Sequence, residues 1–261
     1  MPISKNDVAI LTLEDWETSA GPRSPDHWTD GRSAKEAARA WLEGDAVDPP
    51  KELMAALKRH EAFGRLTTWW AEPDARLPFD GFGGEPCNAD LVVHAEDAHG
   101  TYLITVEAKS DEPFSNTVGD TLGEAVDRLL ENERSHGIAR ITQLAAALLG
   151  PRVGDDPPLK DLRYQLLTAS AGCLAEAERR GHTRALLLIQ EFVTDRTVDK
   201  KLLLNAIDLG RFVKRLSHGA FKAVNPGDIV GPFRVPGAPL LAGGIDFYIG
   251  KISRNLRSRR G

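Results

Sequence analysis

An aspartate, a glutamate and a lysine carry the strongest chemical signal in the chain. Glu107 and Lys109 stand two residues apart in the run Thr101-Tyr102-Leu103-Ile104-Thr105-Val106-Glu107-Ala108-Lys109, which is rich in strand formers. Side chains of a strand alternate between faces, so Glu107 and Lys109 emerge on the same side, together with Leu103 and Thr105. Asp90 opens an earlier run, Ala89-Asp90-Leu91-Val92-Val93-His94-Ala95, and Asp97-Ala98-His99-Gly100 between the two suits a hairpin connection. Antiparallel pairing of 89–96 with 101–109 then sets the start of the first strand opposite the end of the second. All three groups can meet there.

Such a set is what phosphodiester hydrolysis requires: hard oxygen ligands for a divalent cation, and a cationic or basic group beside the attacking water. Asp90, Glu107 and the backbone carbonyl of Ala108 would leave Mg2+, or Mn2+ in its place, several positions for water and phosphate oxygens. Lys109 would orient the water, lower its pKa or stabilise the developing charge. Taken alone, Glu-X-Lys on a strand is equally the pattern of a solvated ion pair, worth little energetically.

The elements that must position these residues can be read outward from them. Residues 1–33 mix turn formers and charges with isolated apolar residues and read as an irregular lead-in. Ser33 and Glu36 have the spacing of a capping box ahead of Ala37, Ala40, Trp41 and Leu42, and Gly44 stops that helix. Asp48-Pro49-Pro50 starts a second helix, with Leu53, Ala56, Leu57 and His60 at helical spacing, running to about Leu66. The glycines of Gly81-Phe82-Gly83-Gly84 predict a turn or a short interrupted strand. After the hairpin, residues 119–150 are helical by periodicity, and Gly154-Asp155-Asp156-Pro157-Pro158 breaks the chain before a long helix from about Leu159 to Arg180, ended by Gly181. Ala185-Leu186-Leu187-Leu188-Ile189 suits a strand buried on both faces, and a last helix is expected near 200–216. The remainder is rich in glycine and proline and ends in a basic tail.

At this point the residues resemble the PD-(D/E)XK, or restriction-endonuclease-like, superfamily of nucleases, whose signature is an acidic residue, a gap, and Glu-X-Lys on the next strand. Here these are Asn88-Ala89-Asp90 and Glu107-Ala108-Lys109; the proline that often precedes the first acid is absent. The chain is similar in particular to an uncharacterised prokaryotic branch, through Val106-Glu107-Ala108-Lys109, Glu112-Pro113-Phe114 and Arg163-Tyr164-Gln165-Leu166. The resemblance implies an α/β fold with a central mixed β-sheet flanked by helices. It spans roughly residues 50–195 of a chain divided into a lead-in and helix (1–48), a core (49–216) with a helical insertion near 119–150, and a Gly/Pro-rich C-terminal segment (217–261).

Further residues are weighed against ordinary structural roles. Arg163 and Gln165 begin the long helix, where the positive dipole end and a guanidinium would hold a phosphate; the plain alternative is an exposed first turn. Glu112 would join the metal site or cap a loop, and Glu61 is the best upstream acid for a supplementary metal contact, unless it is a solvated helix charge. His94 shares a side with Asp90 but lies toward the hairpin, and a lone strand histidine is more often packed or exposed than a ligand. Trp69-Trp70 would stack a base or fill the core near a helix end. In the tail, Lys251, Arg254, Arg257, Arg259 and Arg260 would track a phosphate backbone or simply solubilise the end.

The 261 residues include 33 Lys and Arg against 38 Asp and Glu, a formal net charge of -5, so the whole molecule does not advertise nucleic-acid binding, although a local patch remains compatible with it. Cys87 and Cys173 lack any paired spacing, which favours a reducing interior over a disulfide or zinc framework. No apolar run approaches the roughly 20 residues that span a bilayer, and the first residues lack the order of a signal peptide. The expectation is a soluble, cytoplasmic, metal-dependent nuclease acting on DNA before RNA, in defence or nucleic-acid processing. The resemblance also allows a homodimer, since many such enzymes pair to cut two strands. Two other readings compete: a non-catalytic nucleic-acid or protein-binding module on the same fold, and a hydrolase of a small phosphate ester.

Overall fold

In the computed structural model, which describes residues 2–22, 24–43, 49–241 and 243–258, the expected hairpin forms and the rest of the sheet is built outward from it. Asp97 pairs with Gly100 across the turn, and the Asp97 carboxylate accepts from the His99 N–H at 2.8 Å, an arrangement that favours the reversal locally. Gly100 takes φ of 105°, open to glycine and costly to other residues. Arg184 donates to Asp97 at 2.8 Å with both side chains buried, which ties the turn to the neighbouring strand.

In chain order the elements are β1 (Ser4–Lys5), β2 (Val8–Ala9), α1 (Leu13–Ala20), α2 (Ser33–Trp41), α3 (Lys51–Arg59), β3 (Thr68–Leu77), β4 (Cys87–Asp97) and β5 (Gly100–Lys109). They continue as α4 (Val118–Glu131), α5 (Gly137–Leu149), α6 (Tyr164–Arg179), β6 (Arg184–Val193), α7 (Asp199–Leu216), β7 (Ile229–Phe233) and β8 (Asp246–Asn255). Six strands make a mixed sheet in the order β3-β4-β5-β6-β8-β7. The strands β3, β4 and β5 are antiparallel neighbours, β5, β6 and β8 run parallel, and β7 returns antiparallel to β8. The fold is therefore α/β, with a central mixed sheet flanked by helices.

Each sheet face carries its own core. Leu103, Leu187, Ile189 and Phe247 pack with α4 to α7 on one side, and Ile104, Val106, Leu188 and Ile252 pack with α1 to α3 on the other. That two-sided burial explains the unbroken apolar run of β6, which lies at the middle of the parallel section.

Several boundaries differ from expectation. The lead-in is ordered: Asn6 and Asp7, with φ of 50° and 64°, turn β1 into β2. Thr12 and Asp15 form the capping box that starts α1, with aspartate where glutamate is usual. The box expected at Ser33 and Glu36 does not form, because Ser33 donates to Glu112 while Glu36 accepts from Gly31 N and from Arg39, each at 2.8 Å. Helix α3 stops at Arg59 rather than Leu66, and the residues beyond it lead into β3, so Trp69 and Trp70 lie in a strand and not at a helix end. Leu159–Asp161 is a single 3-10 turn and α6 begins at Tyr164, since Arg163 is held extended by a bridge to Thr117. The Gly/Pro-rich segment from 217 supplies β7 and β8, the latter lodged between β6 and β7, and so is part of the sheet and not an appendage. Gly44 and Asp48, expected as helix stop and start, lie outside the described residues, as do Arg259 and Arg260 of the tail.

Candidate active site

Glu107 and Lys109 end β5, and both are buried. Their Oε2 and Nζ atoms stand 3.9 Å apart. The amide of Gln165, in the first turn of α6, spans the two: its Nε2 donates to Glu107 Oε2 at 2.7 Å, and its Oε1 accepts from Lys109 Nζ at 3.1 Å. Lys109 Nζ also lies 5.3 Å from the centroid of the Phe114 ring, so the ammonium is held from two sides.

The third residue arrives where the β4–β5 ladder ends. Backbone pairing runs to Leu91 opposite Val106, and one step further the Asp90 carboxylate accepts from the Ala108 N–H at 2.6 Å. A side chain thus takes the place of the next strand bond. On the other side of β4, Asp74 of β3 adopts φ of 46° and interrupts the pairing between Pro73–Leu91 and Ala75–Ala89. The strand is released from regular pairing at the residue that must present a carboxylate. Asp90, Glu107, Ala108, Lys109 and Gln165 line one cleft of about 310 Å³, closed on the far side by His27, Arg32 and Ser33 ahead of and within α2.

Electrostatics follow from this enclosure. Burial pushes the Glu107 carboxyl up to about 8, against the pull of Lys109 and with a further push from Asp90. Burial likewise raises Asp90, opposed by Lys109 and by the Ala108 N–H. Two crowded carboxylates facing one ammonium leave the pair short of positive charge, and hard oxygen donors in that state suit a divalent cation such as Mg2+. Among the described residues no three of histidine, cysteine, aspartate and glutamate converge to hold a metal, so a cation would have these two carboxylates, with the Ala108 carbonyl and water to complete its shell.

The other expected site residues separate. Gln165 is in the cleft. Glu112 lines it too, but its carboxylate accepts from the backbone of Ser110 at 3.0 Å and Asp111 at 2.8 Å and from Ser33, which makes it the clasp of the loop after β5. Arg163 is turned away: its Nε donates to the buried Asp208 of α7 at 2.7 Å and its Nη1 to Ser115 O at 2.9 Å. Glu61 lies past the end of α3 in an exposed turn and does not line the cleft. Lys251 sits within β8, buried and paired with Glu191 at 2.8 Å, while Arg254 binds Glu43 and Glu52, and Arg257 binds Asp199 at 2.6 Å. Trp69 packs 6.0 Å from Trp41, and Trp70 stacks on His94. Arg32 and His27 on the cleft wall were not singled out by the sequence; only the position of Arg32 just ahead of a helix hints at it.

An α/β chain with a mixed sheet and an acid-acid-lysine cleft at the end of its central hairpin is the class these features define. The chain belongs to the family described as Domain of unknown function (DUF6946), whose model matches residues 9–255. No curated protein and no solved structure matches it. Both cysteines are free and buried, and no helix of the described residues is long and apolar enough to cross a membrane.

Proposed function

We propose that this protein is a metal-dependent phosphodiesterase of the restriction-endonuclease type, with nucleic acid, DNA before RNA, as its substrate. The observation that carries the reading is the convergence of Asp90, Glu107 and Lys109 on one cleft, with Gln165 bridging the last two. Asp90 and Glu107, with the Ala108 carbonyl, would hold Mg2+ or Mn2+. The bound cation would act as Lewis acid toward a phosphate oxygen. Lys109, fixed by Gln165 and Phe114, presents an ammonium at the cleft wall, where it holds a phosphate oxygen or the attacking water and offsets negative charge as it develops. Gln165 spans Lys109 and Glu107, whose charges stand 3.9 Å apart, while Arg32 on the opposite wall is paired with Asp111 at 2.8 Å.

One observation favours a second reading, hydrolysis of a small phosphate ester. Among the described residues, the cations expected to follow a phosphate backbone are already engaged: Arg163 with Asp208, Lys251 with Glu191, Arg254 with Glu43 and Glu52, and Arg257 with Asp199. Cleavage of linear and circular duplex DNA, single strands, RNA and a small chromogenic phosphodiester, each with Mg2+, with Mn2+ and with chelator, separates the two. Nucleic-acid cleavage above the small-ester rate supports the nuclease, small-ester turnover alone supports the second reading, and inactivity on all substrates with both metals counts against both.

A further inference from the structure

The charged residues that end β5 are barely accessible. Glu107 is 2% exposed and Lys109 7%, so a phosphate reaches them only through the cleft of about 310 Å³ that they line. That volume lies at the lower end of small-ligand pockets, which run from about 300 to 1,000 Å³. The wall facing the sheet is supplied by the chain between α1 and α2, and it is fastened to the loop after β5 by three bonds in step. Ser110 Oγ donates to Gly31 O at 2.8 Å, Arg32 donates to Asp111 at 2.8 Å, and Ser33 donates to Glu112. Three consecutive residues thus clasp three others, directly beside Lys109.

We propose that the substrate of this cleft is an unpaired nucleotide of single-stranded DNA, with its phosphate on Lys109 and its base against His27 and Pro22. The inference rests on the reading of the cleft as a nuclease site and narrows it. A duplex carries each phosphate on a stiff rod with a second strand and grooves about 6 and 12 Å wide, too broad to follow the phosphate into an opening of this volume while the clasp holds. An unpaired nucleotide can turn out of the chain and enter alone.

The cleft wall also holds groups suited to a base and not yet engaged. His27 ends the 3-10 turn Pro25–His27, is exposed, and has no partner for its imidazole among the described residues. The Asn88 carboxamide, at the start of β4, is likewise exposed and without a partner there. An imidazole stacks on a base, and a carboxamide bonds a base edge. Both stand apart from Arg32, Ser33, Glu112 and Gln165, whose polar groups are taken up by the clasp or by the Glu107 and Lys109 bridge.

Charge points the same way. A protein that grips a duplex neutralises a run of phosphates on both strands, yet Arg163, Lys251, Arg254 and Arg257 are each paired with a carboxylate. One phosphate facing Lys109 and one base facing His27 ask for no such run. For a base inside a duplex the same contacts require unpairing and unstacking, a cost that a single strand largely avoids.

The test pairs binding with cleavage. Fluorescence anisotropy follows a short labelled DNA single strand, and the same sequence closed as a hairpin duplex, on the full chain in chelator at low salt; cleavage of both is then timed with Mg2+ and with Mn2+. The single strand should bind more tightly and be cut at least about tenfold faster than the duplex. His27→Ala should weaken single-strand binding by about fivefold or more, the lower end of what one stacked base contributes, and leave Mg2+ affinity unchanged. Asp111→Ala, which removes the middle bond of the clasp from outside the cleft, should raise duplex cleavage relative to single-strand cleavage. His27 is exposed, so its variant keeps the test open if Asp111→Ala does not fold. Equal rates on the two substrates, an unchanged ratio in folded Asp111→Ala, or wild-type single-strand binding in His27→Ala overturns the inference and leaves the nuclease reading standing. Absence of cleavage of any nucleic acid with either metal removes that reading itself, and the substrate assigned here with it.

Discussion

The carboxylate of Asp90 accepts the Ala108 N–H at 2.6 Å, so one candidate metal ligand is bonded to the backbone that links the other two site residues. Motion of β5 and placement of Asp90 are thereby coupled. Asp90→Asn keeps an oxygen that can accept this bond, whereas Asp90→Ala leaves the donor without a partner. We expect Asp90→Ala to be less stable than Asp90→Asn by about 1–3 kcal/mol, the cost of an unsatisfied buried donor, while both lose Mg2+ binding. Urea denaturation of the pair in chelator checks this, and equal midpoints would show that the bond does not hold the strand end.

Gln165 should act by position. Gln165→Ala removes both of its bonds, which frees Lys109 to move onto Glu107. The expected result is a drop in kcat of about tenfold to a hundredfold, the scale of a misplacement near 1 Å, with little change in KM or in stability. A kcat within twofold of wild type would remove Gln165 from the working site.

The raised Glu107 pKa gives stability a defined pH dependence in the absence of metal. The folded state keeps its proton up to about 8, whereas the unfolded chain loses it near the ordinary value of 4.5. The contribution is therefore complete below about pH 4.5 and is lost as the pH rises through about 8. Glu107→Gln should remove that decline, becoming more stable than wild type at pH 9 in chelator, and Mg2+ should restore much of the wild-type loss by favouring the charged form. Denaturation curves at pH 5, 7 and 9 test it; identical slopes in the two proteins would contradict the burial assigned to Glu107.

How much of this was legible depended on whether the signal was local. Strand alternation and the Asp97–Gly100 turn are properties of neighbouring residues, and they predict the β4–β5 hairpin and the meeting of Asp90, Glu107 and Lys109 in one cleft. β6 was visible because burial on both faces leaves an unbroken apolar run. β8 was not, although Phe247-Tyr248-Ile249 and Ile252 mark it, because Gly250 and Lys251 interrupt the pattern and the Lys251 charge is neutralised by Glu191, 60 positions away. β3 was hidden behind a helix whose periodicity ran past its true end. Arg163 was misjudged for the same reason: Asp208, which draws its guanidinium away, lies on a helix that local spacing cannot bring near it.

That pairing has its own consequence. Asp208 is 5% exposed, and removing Arg163 leaves its charge without its closest partner. Arg163→Ala should destabilise the fold by about 1–3 kcal/mol and leave Mg2+ affinity unchanged. Thermal unfolding alongside metal titration measures both, and a loss of Mg2+ binding in a folded variant would return Arg163 to the cleft.

The most direct measurement is a comparison of Mg2+ binding and phosphodiester cleavage in Glu107→Ala and Lys109→Ala against wild type, with folding verified by circular dichroism. Glu107→Ala should lose both the cation and cleavage. Lys109→Ala should keep Mg2+ bound, since it removes a competing positive charge, and still lose cleavage by at least about a hundredfold, within the range set by a single stabilising group. Cleavage at the wild-type rate in both folded variants would contradict the assignment of this cleft as the active site.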